Sequence, residues 1–285
     1  MLGLRVNELT PCTCVQNRLE GSRPLRFQPN DMAEPHTSDQ IARLLAQLHT
    51  LQLPAALAKF HSAPGLWEQL WEWHKQATSA AAAEKIVKHP PGKQGIASVG
   101  DLLASLQLDG SAAELEALQA SIGASAPVAF CHNDLLAGNI MREDATGAIT
   151  FIDFEYGGSN YRGFDVANHF NEWAGGTEDG EPDYTAVPTE AQRKAFCRAY
   201  LAELAKQSES GGGGGGGGGG SSTAEEEASL QSLLEEAAKF ELVNHWYWGL
   251  WAVVQAADEG FEIFPYLTYA ARRIGQYRAL SAAKV

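Results

Sequence analysis

Apolar positions recur at helical spacing over much of this chain, and they predict a mostly helical protein. Ile41, Leu44, Leu45 and Leu48 share one face behind Thr37 and Ser38, which read as the cap, and Pro54 stops that helix. Trp67, Leu70, Trp71 and His74 repeat the pattern, predicting a second helix that runs through an Ala-rich stretch until the His-Pro-Pro-Gly segment at 89–92. Further helices are predicted over 111–121, over 189–206 behind Pro188 and a Thr189 cap, over 224–257 and over 266–281. Two short apolar runs, beginning at Val128 and Ile149, have β character instead, and each ends in a polar cluster. Residues 157–165 read as a loop before a helix that starts at Val166, and 15–19 as a strand remnant.

The polar cluster after the first β run is Cys-His-Asn-Asp-Leu-Leu-Ala-Gly-Asn, and the second run leads into Ile-Asp-Phe-Glu-Tyr. Asp134 and Asn139 stand five apart. That is the kinase spacing in which Asp accepts the proton of an attacking hydroxyl and Asn holds a Mg²⁺, and Asp153 then falls where the second metal ligand is needed. Phosphoryl transfer needs little more than a base, oxygen ligands for a hard cation and a positioning frame. Taken singly, Asp and Asn in a turn bond the backbone, and His132 reads as a packed or capping side chain. Taken together they point to phosphoryl transfer, without naming the acceptor. Near the C-terminus, Trp248 and Trp251 lie on one helix face. With Tyr156, Glu172 and Tyr269 they form either a piece of core or an acidic, π-rich pocket for an ammonium group, and the residues alone leave both open.

Composition narrows the partners. The net charge of -14, from 35 acidic and 21 basic residues, disfavours nucleic acid and anionic membrane surfaces and suits a small cation. No apolar run is long enough to predict a membrane span, and no secretory leader is read at the N-terminus, so a cytoplasmic location is expected. Cys12, Cys14, Cys131 and Cys197 are too few and too irregular for a disulfide framework or a zinc set. Ten consecutive glycines, 211–220, have neither a leading strand nor a following Lys. The surrounding stretch, 208–224, reads as a disordered insertion rather than a phosphate cradle.

In the order Cys131-His-Asn-Asp-Leu-Leu-Ala-Gly-Asn-Ile-Met141, Ile152-Asp-Phe-Glu-Tyr156, Asn160-Tyr-Arg-Gly-Phe-Asp165, Asn168-His-Phe-Asn-Glu172 and Trp248-Gly-Leu-Trp251, the chain resembles the choline and ethanolamine kinases over residues 17–281. The resemblance implies an α+β, protein-kinase-like fold of the choline kinase and aminoglycoside phosphotransferase type, represented mainly by its helical C-terminal lobe with a small β element at the catalytic loop. It further implies that ATP and Mg²⁺ are used to phosphorylate an amino alcohol. Asp134 would be the base, Asn139 and Asp153 would ligate Mg²⁺, and Tyr156, Glu172, Trp248, Trp251 and Tyr269 would line the amino-alcohol pocket. His132 and Asp165 would support the catalytic loop. Leu136, where choline kinases typically carry Gln, and the run Asn168-His-Phe-Asn-Glu-Trp-Ala-Gly175 resemble the ethanolamine branch, giving phosphoethanolamine for phosphatidylethanolamine synthesis. Choline or dual activity is the alternative, and a homodimer is left open.

The family's Gly-rich loop, strand Lys and helix Glu have no counterpart in this sequence, whose first Lys is Lys59. Residues 1–28 are therefore expected to be a remnant of the N-terminal lobe and hinge, and 29–285 the C-terminal lobe. A truncated, non-catalytic partner of a full-length relative is the reading from another class.

Overall fold

The computed structural model describes residues 22–24, 31–54, 63–90, 92, 98–123, 126–211 and 223–283. Strand β1 (Ser22–Pro24) precedes helix α1 (Pro35–His49). The carboxylate of Glu34 accepts hydrogen bonds from the backbone N–H of His36 and Thr37, with Pro35 fixing the first turn, so the cap lies three residues earlier than Thr37. The expected second helix is two, α2 (Leu66–Ala77) and α3 (Ala80–Lys88). Ser79 breaks the run because its hydroxyl accepts from the Ala82 N–H, starting a new helix where Ala propensity alone would have continued the old one. Short α4 (Val99–Ser105) and α5 (Ser111–Ile122) follow.

The strands are β2 (Val128–Cys131), β3 (Ile140–Glu143), β4 (Ile149–Phe151) and β5 (Gly158–Tyr161). The two apolar runs do not pair with each other. β2 runs antiparallel to β5, with Val128 opposite Tyr161, while β3 is flanked by β1 and β4, with Ile140 opposite Phe151. The segment expected as a loop before Val166 therefore contains β5, and α6 (Arg162–Glu172) begins directly after it. The result is two small ribbons whose connecting loops, 132–139 and 152–157, lie side by side.

α7 (Glu190–Gly211), α8 (Thr223–Glu259) and α9 (Tyr266–Ala282) complete the chain. Thr189 and Gln192 cap α7 reciprocally. Because α7 continues to Gly211 and α8 starts at Thr223, helix occupies both ends of the expected 208–224 insertion, whose middle lies outside the described residues. The expected remnant at 1–28 and the strand at 15–19 also fall outside them, apart from β1. α8, about 55 Å long at 1.5 Å per residue, is the spine of the molecule. Its first half packs with α1, α7 and β3–β4 in one apolar core, and its second half packs with α2, α3, α5 and α9 in another. α6 joins the two, giving Phe164 and Ala167 to one core and Val166 and Phe170 to the other. Among the described residues no helix is long and apolar enough to cross a membrane.

Candidate active site

The loop between β2 and β3 is held from behind by one carboxylate. Asp165, fully buried at the start of α6, accepts 2.7 Å hydrogen bonds from the backbone N–H groups of His132 and Asn133, and its Oδ2 lies 3.0 Å from His49 Nε2. Burial would raise its pKa, but the hydrogen bond and charge of His49 and the loop contacts outweigh that and hold it below the usual carboxylate range. His49 is fixed in turn by the Tyr200 hydroxyl at 2.7 Å.

Three further bonds stitch the two loops together. His132 Nε2 reaches the carbonyl of Ile152 at 2.8 Å, Asn133 Nδ2 donates to the carbonyl of Tyr156 at 2.8 Å, and the N–H of Ile152 donates to the carbonyl of Asn139 at 3.0 Å. Asn160 on β5 donates to Asn133 Oδ1 at 2.7 Å, holding Asn133 in its left-handed conformation, φ 67°. Burying so many polar groups is tolerable because each bonds within the network.

This frame carries Asp134 and Asn139, which bond each other, and Asp153, whose negative charge acts on Asp134. The Asn139 amide nitrogen donates to both the backbone carbonyl and the carboxylate of Asp134, at 2.8 and 3.1 Å, which assigns the donor end and leaves the amide oxygen as its ligand-type atom. Burial pushes the Asp134 carboxyl up to about 8, helped by the negative charges of Glu172, Asp153 and Glu155, with the Asn139 hydrogen bond pulling the other way. Glu155 is raised by partial burial and by Asp153. An all-oxygen donor set with surplus negative charge fits a hard divalent cation such as Mg²⁺. A different cluster, His49, Cys131 and Asp165, has donor atoms within 4.8 Å of one another. There the His and Asp are already committed to the loop and to each other, and burial keeps the thiol protonated.

Asp134 also forms the floor of a cavity of about 390 Å³. Tyr156, Glu172, Trp248, Trp251 and Tyr269 line it, so all five predicted pocket residues meet there. Asp153 lies outside the lining, and His132 and Asp165 stand behind the loop. The ring centroids of Tyr156 and Trp248 are 5.3 Å apart and those of Trp248 and Trp251 5.4 Å, both edge-to-face, so the rings form a continuous wall. Glu172 is buried, its pKa raised by burial and drawn down by Arg273, whose Nη1 lies 3.1 Å from its Oε1.

Sequence reading missed Glu155, Thr177, Glu178, Phe264 and Tyr266 in the lining, and Arg273 behind it. For Arg273 a signal was present. Glu172 follows Val166, Ala167 and Phe170 on a helix whose burial is evident, and a buried carboxylate calls for a cation.

A model of the choline/ethanolamine kinase family matches residues 19–278. The chain belongs to the choline/ethanolamine kinase family. It is 32% identical over 253 residues to a probable ethanolamine kinase of Arabidopsis thaliana, an alignment covering 88% of this chain and 58% of that one. To human choline/ethanolamine kinase it is 34% identical over 264 residues, covering 90% and 59%. The chain thus spans about three fifths of the length of these curated relatives. Among solved structures, an ethanolamine kinase of Plasmodium vivax superposes with a TM-score of 0.67 at 23% identity, covering 90% of this chain and 64% of that one. A choline kinase of Cryptosporidium parvum gives 0.63 at 19%, covering 92% and 69%. The fold is therefore the α+β fold of these kinases, mostly helical with small sheets, as the motif order implied. Family membership bears out the resemblance drawn from the motifs.

Proposed function

We propose that this chain serves ATP-dependent phosphorylation of the ethanolamine hydroxyl, yielding phosphoethanolamine for phospholipid synthesis in the cytoplasm. The observation that carries the proposal is the position of Asp134, shared between the oxygen-donor loop and an acidic aromatic cavity. The hydroxyl oxygen would form the new bond to the terminal phosphorus of ATP, the bond from that phosphorus to the bridging oxygen would break, and the hydroxyl proton would pass to Asp134. Asn139 and Asp153 would hold Mg²⁺, which neutralises charge on the phosphates. A bound ammonium would draw the Asp134 carboxyl back toward its ionised, proton-accepting form.

Ethanolamine is favoured over choline by the acceptors around the cavity. A primary ammonium brings three N–H donors that need partners, whereas a quaternary one needs π faces and shape. Glu172, Glu155, Glu178 and the Thr177 hydroxyl supply such acceptors. The Trp248 and Trp251 faces would also accept choline, which is the second reading.

The test is coupled ATP turnover with ethanolamine and choline in parallel, and Asp153→Ala as the blank. Ethanolamine-dependent turnover abolished by Asp153→Ala, and reduced about 10²- to 10⁴-fold by Asp134→Asn, is the expected result. Turnover indifferent to both substitutions would overturn the assignment.

A further inference from the structure

Arg273 has no exposed surface, and it lies outside every group expected to touch substrate or phosphate. From α9 it is linked to three residues of the cavity lining, two directly and one through other side chains. Its Nη1 donates to Glu172 Oε1 at 3.1 Å, and its Cζ lies 5.6 Å from the centre of the Tyr269 ring one turn earlier on the same helix. Its Nη2 donates to Asn244 Oδ1 at 2.5 Å, an atom that also accepts from Asn171 Nδ2 at 2.9 Å. The Asn244 amide then donates to Asn168 Oδ1 at 2.8 Å, and that same oxygen accepts the indole N–H of Trp248 at 2.8 Å.

One guanidinium thus connects the carboxylate, one ring directly, and a second ring through two amides. Burial of an ion pair offers little net stability over a well-packed apolar pair. A fork that bonds in two fixed directions, by contrast, gives geometric definition that a point charge cannot give. We propose that Arg273 is a positioning residue for the ammonium subsite, locking Glu172, Tyr269 and, through Asn244 and Asn168, Trp248 into one wall. This inference rests on the amino-alcohol reading above.

Two arms leave the guanidinium, and they are separable. Arg273→Lys keeps a cation for Glu172 but cannot span Glu172 and Asn244 together. Asn168→Ala leaves the Arg273–Glu172 pair in place and removes the oxygen shared by the Asn244 amide and the Trp248 indole, cutting the link to Trp248. The experiment is titration of the chain, without nucleotide, with ethanolamine and with choline, followed by tryptophan fluorescence and calorimetry, with a melting curve for each variant.

The wild-type chain is expected to bind an ammonium. Arg273→Met should weaken both ligands at least tenfold, Arg273→Lys both at least fivefold with melting close to wild type, and Asn168→Ala choline more than ethanolamine. A role in stability alone would lower the melting temperature and leave the folded fraction's dissociation constants unchanged. Wild-type constants in Arg273→Lys would overturn the inference and leave the proposed function standing. A wild-type chain that binds neither ammonium would overturn both. If Arg273→Met does not fold, Asn168→Ala decides, and equal effects on the two ligands would count against the linkage.

Discussion

Asp153 and Asn133 both sit in left-handed backbone conformations, at φ 62° and 67°, which cost an L-residue roughly 1–2 kcal/mol. Asn133 is held there by bonds from its side chain to Tyr156 and Asn160. Asp153 is exposed, so its conformation is imposed by the turn that carries its carboxylate toward Asp134. Asp153→Gly is therefore expected to be more stable than Asp153→Ala by about 1 kcal/mol, although both should lack turnover. Urea unfolding of the two variants checks this, and equal midpoints would mean that the turn stores no strain. Asp165→Asn presents the sharper case. An amide there turns one donor toward donors that now share a carboxylate, and the loss is expected to be about 3 kcal/mol, read from the same unfolding curves. Neither feature could be taken from the sequence alone, since φ at 153 and the partners of Asp165 depend on how the two loops meet. The residue types were legible there, but their conformations were not.

At the level of elements, legibility followed periodicity. α1 was recognised from its apolar face although it ends at His49, short of Pro54, while α5 and α9 were read close to their observed bounds. β5 was missed because Gly158-Ser-Asn-Tyr161 has no apolar alternation; it is a strand only because β2 supplies its partner, register by register. The assignment of β2 and β4 to separate ribbons is likewise a long-range fact. The cavity residues were found through motif order, while Arg273 was overlooked because an Arg beside another Arg on a helix ordinarily faces water. Close packing between elements carries its own prediction. A Cβ at Gly163 in α6 would come within 2.6 Å of Glu236 Cγ and Phe240 Cδ2 on α8, so Gly163→Ala forces those side chains or the two helices to shift. A loss of about 1–3 kcal/mol is expected from overpacking at such a contact, together with weaker ammonium binding, because α6 carries Asn168 and Glu172. Unfolding and titration on the same sample test both; unchanged stability would show that Glu236 and Phe240 can yield.

On the scale of the whole molecule, the two apolar cores and the catalytic loop share one joint, and His169 sits in it. Its ring stacks on Phe196 with centroids 5.2 Å apart, its Nδ1 bonds the carbonyl of Leu135 in the loop at 3.3 Å, and its Nε2 accepts from the Trp173 indole at 3.3 Å. Those partners require the neutral ring with its proton on Nδ1, and burial pushes its pKa down to about 4 from an ordinary 6.5. Above pH 6.5 neither the folded nor the unfolded chain holds a proton on this ring. Between 6.5 and about 4 the unfolded chain does and the folded chain does not, so this contribution to stability falls as pH falls, by about 1.4 kcal/mol per unit and roughly 3 kcal/mol in all. His245, pushed down by burial and by Arg273, acts in the same direction. Asp134 acts in the opposite one: its carboxyl, raised to about 8, lets the folded chain bind a proton that the unfolded chain has released, so its contribution falls as pH rises. The raw stability curve thus mixes opposing contributions, and the His169 share is isolated only by difference. Subtracting the unfolding free energy of His169→Gln from that of the wild type at pH 7 and again at pH 4 isolates it. The wild-type advantage should shrink by about 3 kcal/mol over that interval. A difference that stays constant with pH would mean that the joint between the cores admits a charged ring, and that the catalytic loop is held less tightly than its hydrogen bonds indicate.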